Sequence, residues 1–283
     1  MTAQGADTEP LYSPDGGSIV FLSEGGQPDP INQVVVTTGV YSIPATGGEI
    51  RKLARTPNEQ ATLLGWTPDS RSVVVSEALG TRTGLYLLPV SGQSPQPVPV
   101  PDKGIQQAHF LNAKGDLAYV YQATEMPVEV YTASLGNSTG RKLTDIHADY
   151  APNQPLARTE LINWRAKDGK YTIESLLTYP ANYQAGHRYP LLVMIHGGPL
   201  GYWSQAYTGA NYAPGLSGPG APFPIQAFAQ QGYFVLWPNP RGSGGYGHGF
   251  RAAAYRDWSD GPYQDLMRGW IKLFRWAWPT RIA

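Results

Sequence analysis

Short runs in which apolar and polar residues alternate fill the first half of the chain, and they return at a fixed spacing. VYSIPATGGEIRKL (40–53), LYLLPVSGQSPQPV (85–98) and VYTASLGNSTGRKL (130–143) align without gaps at a period of 45 residues. Tyr41, Tyr86 and Tyr131 share one position of the repeat, and Leu53, Val98 and Leu143 another. Each copy predicts a strand, a Gly-rich turn and a second strand. Upstream lie YSPDGGSIVFLS (12–23), WTPDSRSVVVSE (66–77) and the weaker FLNAKGDLAYVYQ (110–122). A Pro-Asp-Gly turn ahead of alternating β-branched and aromatic residues is a hairpin signature. About four short strands in about 45 residues predict propeller blades, and the gap-free register weighs against a β-sandwich. Three blades do not close a ring, because propellers use about four to eight. The missing blades are therefore expected before this segment or from elsewhere, since an open set leaves bare strand edges.

The pattern changes after residue 146. IHADYAPNQPLARTE (146–160) has no clear periodicity and reads as a crossover. INWRAKDGKYTIESLLTYP predicts a two-residue hairpin turn at Asp168-Gly169. YPLLVMIHGG (189–198) and GYFVLWPNPRG (232–242) read as buried strands, with a short helix near Ile225–Gln231 between them. Tyr263–Ala277 reads as a helix whose apolar face holds Leu266, Trp270, Leu273, Phe274 and Ala277. Continuous apolar strands alternating with helices predict a parallel sheet covered on both sides.

Composition narrows the function. Lys+Arg and Asp+Glu are balanced at 21 each, which argues against the basic excess of a nucleic-acid footprint. There is no cysteine, hence no disulfide framework or thiolate chemistry. No apolar run approaches the ~18 residues of a membrane span. The start MTAQGADTEP has no leader character, which points to the cytoplasm. Gly (33) and Pro (26) are spread between regular apolar strands, as in a turn-rich fold rather than a disordered one. Nothing in composition or spacing calls for a cofactor, and no histidine spacing suggests a metal site. A homo-oligomer is left open.

The quoted segments KDGKYTIESLLTYP, YPLLVMIHGGP, FAQQGYFVLWPNPRGSGGYGHGF, DWSDGPYQDLMRG and the terminal PTRIA resemble, in order, the prolyl oligopeptidase family of serine peptidases. The resemblance is to its acylaminoacyl-peptidase and dipeptidyl-peptidase branch. It implies blades of an incomplete β-propeller over 1–146, followed by part of an α/β-hydrolase domain over 147–283. It also implies cleavage of short peptides by a Ser-Asp-His triad, without a cofactor.

The triad's serine is the missing piece. A hydrolase nucleophile sits in Gly-x-Ser-x-Gly on a strand-to-helix bend. The match at Gly136–Gly140 puts Ser138 in a blade turn, at the repeat position of Gly48 and Gln93. Ser243 follows a strand among glycines and reads as a turn residue; Ser204, Ser217 and Ser259 lie in loops. No nucleophile, base or acid is therefore assigned. The chain is expected to end shortly before the bend and to be inactive as written. A non-catalytic scaffold, or half of a two-chain enzyme, is the alternative. By resemblance the HGGP loop supplies half of an oxyanion hole, with Gly198 as donor and Gly197 next. His196 reads as a loop-fixing residue and His248 as a turn residue. Asp257, Asp260 and Asp265 read as orienting the last helix. Arg241 reads as an ion-pair former, with a substrate-carboxylate role as its second reading. Tyr202 and Trp203 are placed at the border of the substrate pocket, with packing as the rival reading.

Overall fold

The computed structural model describes residues 6–24, 35–135, 140–149, 155–198, 200–209 and 224–277, without the side chains of 108 and 274–277. The chain divides into two compact units: 1–121 with 129–145 and 245–248, and 122–128 with 146–244 and 249–283.

The first unit holds three four-stranded sheets. Strands β1 (Asp7–Tyr12), β2 (Ser18–Ser23), β3 (Gly39–Pro44) and β4 (Arg51–Lys52) pair in chain order. So do β5 (Thr62–Trp66), β6 (Ser72–Leu79), β7 (Arg82–Pro89) and β8 (Gln96–Val98). The third sheet has β9 (Ile105–Leu111), β10 (Asp116–Ala123), β11 (Met126–Ser134) and β12 (Arg141–Lys142). The tyrosine repeat is a register repeat: Tyr41 pairs with Lys52, Tyr86 with Pro97 and Tyr131 with Lys142. The turn motifs of the first two sheets are spaced more widely than the period, because residues 24–38 join β2 to β3 where only Gly80 and Thr81 join β6 to β7.

The period-2 alternation of the middle sheet decides its neighbours. Val73, Val75, Tyr86 and Leu88 pack with Val20, Leu22 and Val40 of the first sheet. Leu85, Leu87 and Val98 pack with Leu117 and Tyr119 of the third. The turns repeat as well. Gly16 N bonds Ser13 O, Ser70 N bonds Thr67 O, and Gly115 N bonds Asn112 O. The closing residue is left-handed each time, at φ +72°, +59° and +85°.

His109 on β9 lies against the Tyr119 ring, with 6.0 Å between centroids. Burial lowers its pKa from 6.5 to about 4. The unfolded chain thus binds more protons between those values, and stability falls as the pH drops through that window. Allowing for its partial exposure, the loss should reach about 2 kcal/mol at about 1.36 kcal/mol per pKa unit. The His109→Gln variant should lose less stability than the parent between pH 7 and pH 4.5, measured by urea midpoints of the first unit.

In the second unit, β13 (Thr159–Arg165), β14 (Thr172–Thr178), β15 (Leu191–Val193) and β16 (Phe234–Asn239) form one sheet in the order β13-β14-β16-β15. The expected parallel sheet is mixed: only β15 and β16 run parallel, and β14 is antiparallel to both neighbours. A hairpin places β13 and β14 antiparallel, so the sheet starts mixed. Its turn is also longer than two residues. Arg165 pairs with Thr172, Gly169 N bonds Ala166 O, and Gly169 takes φ +70°.

All of β16 is buried because both faces are covered. Val235 and Trp237 meet Ile225 of helix α1 (Ile225–Gln230). Phe234 and Leu236 meet Leu273 of helix α3 (Asp260–Ala277), which follows the short α2 (His248–Ala252). Helix α3 begins before Tyr263, because Asp257 Oδ1 accepts the amides of Asp260 and Gly261 at 3.0 and 3.1 Å. Its buried stripe is also not the apolar one. Gly261, Asp265, Gly269 and Leu273 face inward, while Trp270 is 39% exposed. A Cβ on Gly269 would lie 2.3 Å from the Trp164 ring, so close approach selects glycine there. The Phe274 and Ala277 side chains lie outside the described residues.

Candidate functional site

The loop after β15 is delivered by a short parallel strand and clamped from below. Met194 N bonds Leu236 O at 2.8 Å, continuing the β16 pairing by one residue. The chain then emerges: Ile195 is 61% exposed, and Gly197 and Gly198 are exposed. Gly198 has φ +126°, and a Cβ there would meet Gly201 N at 2.7 Å. A Cβ on Gly201 would meet Gly197 O at 2.4 Å. Only glycine fits a bend this tight at either position. Among the described residues neither the Gly197 nor the Gly198 amide has a hydrogen-bond acceptor.

The clamp is Asn239, fully buried at the end of β16. Its Oδ1 accepts Trp203 N at 2.7 Å, and its Nδ2 donates to Trp203 O at 2.9 Å. Trp203 Nε1 donates to Met194 O at 3.0 Å, and the ring meets Trp237 edge-on. Trp203 is only 2% exposed, so its side chain is a floor beneath the loop. Tyr202 is half-buried above it, against Gly244, with burial raising its phenol pKa.

His196 lies in the same cluster. Its Nε2 is 3.0 Å from Ser243 Oγ, its Nδ1 is 3.2 Å from Gly197 O, and its ring meets Trp203 edge-on. Burial lowers its pKa, outweighing the opposing contacts with Gly197 and Asn239. Ser243 is fully buried and donates to Pro240 O at 2.6 Å.

Arg241 stands one turn from this cluster and is held from three sides. Nε and NH2 donate to the two oxygens of Asp265 at 2.8 Å each, and NH1 donates to Asp168 at 2.8 Å. The guanidinium lies 5.2 Å from the Tyr171 ring centre. These contacts raise its pKa, with Asp265 the main cause, and Arg241 holds the Asp168 carboxyl below its usual range. Asp265 is fully buried, so of the three acidic candidates only Asp257 and Asp260 sit at the start of α3.

The remaining candidates do not converge. Ser138 and Ser217 lie outside the described residues. Ser204 is buried with its hydroxyl unpartnered, as is His248 Nε2. No group of three or more His, Asp or Glu is arranged to hold a metal among the described residues. A groove of about 830 Å³ between β13 and α3, lined by Trp164, Arg165, Met267 and Arg268, contains none of the loop residues.

Residues 221–278, which span α1, β16, α2 and α3, match the family described as the prolyl oligopeptidase family. Along 94% of its length the chain is 27% identical to dipeptidyl-peptidase 5 of Aspergillus fumigatus, over 275 residues. The chain is thus similar to the prolyl oligopeptidase family, most directly over residues 221–278. It spans about a third of the curated relatives it matches, 35% of the Aspergillus protein. Its fold is that of acylaminoacyl peptidase from Pyrococcus horikoshii, with a TM-score of 0.72 at 18% identity. That match covers 92% of this chain and 37% of the other. Dipeptidyl peptidase 4 of Porphyromonas gingivalis superposes with a TM-score of 0.69 at 16% identity, covering 95% and 35%. The sheets of the first unit are thus blades of an incomplete propeller, and β13–β16 with α1–α3 are part of an α/β-hydrolase domain.

Of the residues singled out from the sequence, Gly197, Gly198, Tyr202 and Trp203 gather around the loop, and Arg241 is engaged with Asp265 and Asp168. Sequence reasoning passed over Asn239 and read Ser243 only as a turn residue, whereas both hold the loop. Their signal was weak: an asparagine ending an apolar strand, and a serine among glycines.

Proposed function

We infer that residues 1–146 are propeller blades and 147–283 the first part of the peptidase domain of a serine peptidase acting on short peptides. In this reading the His196–Gly198 loop supplies one side of the oxyanion hole. Acyl transfer turns a planar carbonyl into a tetrahedral centre bearing a negative oxygen, which preorganised amides stabilise. The observation that carries the reading is a pair of exposed glycines, Gly197 and Gly198, whose amides have no acceptor among the described residues, on a loop clamped by Asn239. The attacking hydroxyl comes from outside these residues. None of the described serines stands where a strand bends into a helix, and the buried Ser243 hydroxyl is engaged with Pro240 O.

The 283-residue chain is expected to show no stoichiometric labelling by a fluorophosphonate probe and no release of p-nitroaniline from dipeptide anilides. Exchanging it for the matching segment of Aspergillus fumigatus dipeptidyl-peptidase 5 should yield a chimera that reacts with the probe. Turnover by the 283 residues alone, abolished by changing one serine within them, overturns the assignment.

A further inference from the structure

The contacts of Ser243 and His196 need more protons than the neutral pair carries. Three close approaches are present: Ser243 Oγ to Pro240 O at 2.6 Å, His196 Nε2 to Ser243 Oγ at 3.0 Å, and His196 Nδ1 to Gly197 O at 3.2 Å. Each needs one proton between its heavy atoms. The hydroxyl carries one and a neutral imidazole carries one. The two carbonyl oxygens carry none.

The shortest contact decides the arrangement. Pro240 O only accepts, so the hydroxyl proton points to it. Ser243 Oγ then faces Nε2 with a lone pair, and the ring proton sits on Nε2. That leaves Nδ1 bare opposite Gly197 O. The groups around the ring are the Trp203 indole, the Asn239 amide, the Ser243 hydroxyl and the glycine backbone, all uncharged. Among the described residues nothing in this shell supplies a third proton, and burial lowers the ring's pKa.

The consequence falls on one peptide unit. Gly197 C=O and Gly198 N–H belong to the same trans peptide, so they point in opposite directions. Whatever turns Gly197 O turns the Gly198 amide with it. A proton on Nδ1 attracts Gly197 O and locks the plane, whereas a bare Nδ1 repels it. We propose that Ser243 is a positioning residue: by holding the His196 proton on Nε2, it sets the orientation of the Gly197–Gly198 peptide. This rests on the oxyanion-loop reading for its catalytic meaning, but the proton's position does not.

Nitrogen-detected NMR of the 283-residue chain, labelled with 15N-histidine, reads this directly. His196→Gln identifies its signal among the five histidines. In the parent protein at pH 7.5, His196 is expected as the Nε2–H tautomer, with Nδ1 unprotonated. Ser243→Ala removes the acceptor, so the proton should move to Nδ1 and the Gly198 amide resonance should shift. Ser243→Thr retains the hydroxyl and should retain the parent tautomer. A parent His196 found as Nδ1–H overturns the proposal without any variant. So does a Ser243→Ala protein with an unmoved tautomer and an unmoved Gly198 resonance. Failure of the peptidase reading would show as an unreactive chimera, a separate result that leaves the tautomer assignment intact.

Discussion

Asp265→Ala should destabilise the second unit by about 3–5 kcal/mol, the usual effect of stranding one partner of a buried ion pair. Asp265 is completely buried and takes two charge-assisted bonds from the Arg241 side chain plus the Arg241 amide at 3.1 Å. Its own carbonyl accepts Trp164 Nε1 at 2.8 Å. One residue of α3 therefore ties the turn after β16 and strand β13 to the same point. Without the carboxylate, the guanidinium keeps only Asp168, which is more open to water. Asp265→Asn should cost less, because it removes the charge and keeps an acceptor. The paired variant Arg241→Met/Asp265→Leu should cost less than the sum of its single changes. Urea unfolding followed by tryptophan fluorescence reports mainly on the second unit, where Trp164, Trp203 and Trp237 lie, with Trp66 in the first unit replaced by Phe to remove its signal. Additivity of the two single changes would refute the coupling.

Gly198→Ala is the second large effect. The residue takes φ +126°, and the added methyl would lie 2.7 Å from Gly201 N and 3.2 Å from Leu200 N. Both neighbours are backbone, so neither can swing aside. A side chain in this part of conformational space costs about 1–3 kcal/mol, and the overlap adds about 1–3 kcal/mol. The loop should give way rather than the sheet, because Trp203 and Asn239 still hold its base. In the peptidase chimera, kcat should fall by about 10²–10³, the range for losing one oxyanion donor. Gly197→Ala is the control: a Cβ there meets nothing within 4 Å, so its folding cost should be small. Equal behaviour of the two alanine variants would contradict the geometry.

The blades were legible because their signal is local and repeated. A tyrosine every 45 residues marks the same cross-strand pair three times, so Tyr41 opposite Lys52 is reproduced by Tyr131 opposite Lys142. The hydrolase strands were legible for a related reason: β16 is covered on both faces and reads as unbroken apolar sequence. Helix α3 departs from its apolar pattern at Trp270, which is exposed although the periodicity places it on the buried face. What lies against the sheet there is a glycine making room for Trp164 and an aspartate neutralising Arg241. The glycine answers to a partner about a hundred residues away and the aspartate to one 24 positions away, on another element.

Taken alone, the order of residues established the repeating blades, the buried strands and the glycine-bearing loop after β15, since each depends on neighbours within a few positions. The tertiary structure decided that Arg241 is spent on Asp265 and Asp168, that Trp203 is a floor, and that Ser243 reaches His196 across 47 positions. Those are long-range contacts between polar groups. Their energy comes from desolvation and directional bonding at one place in space, and chain periodicity carries no record of that.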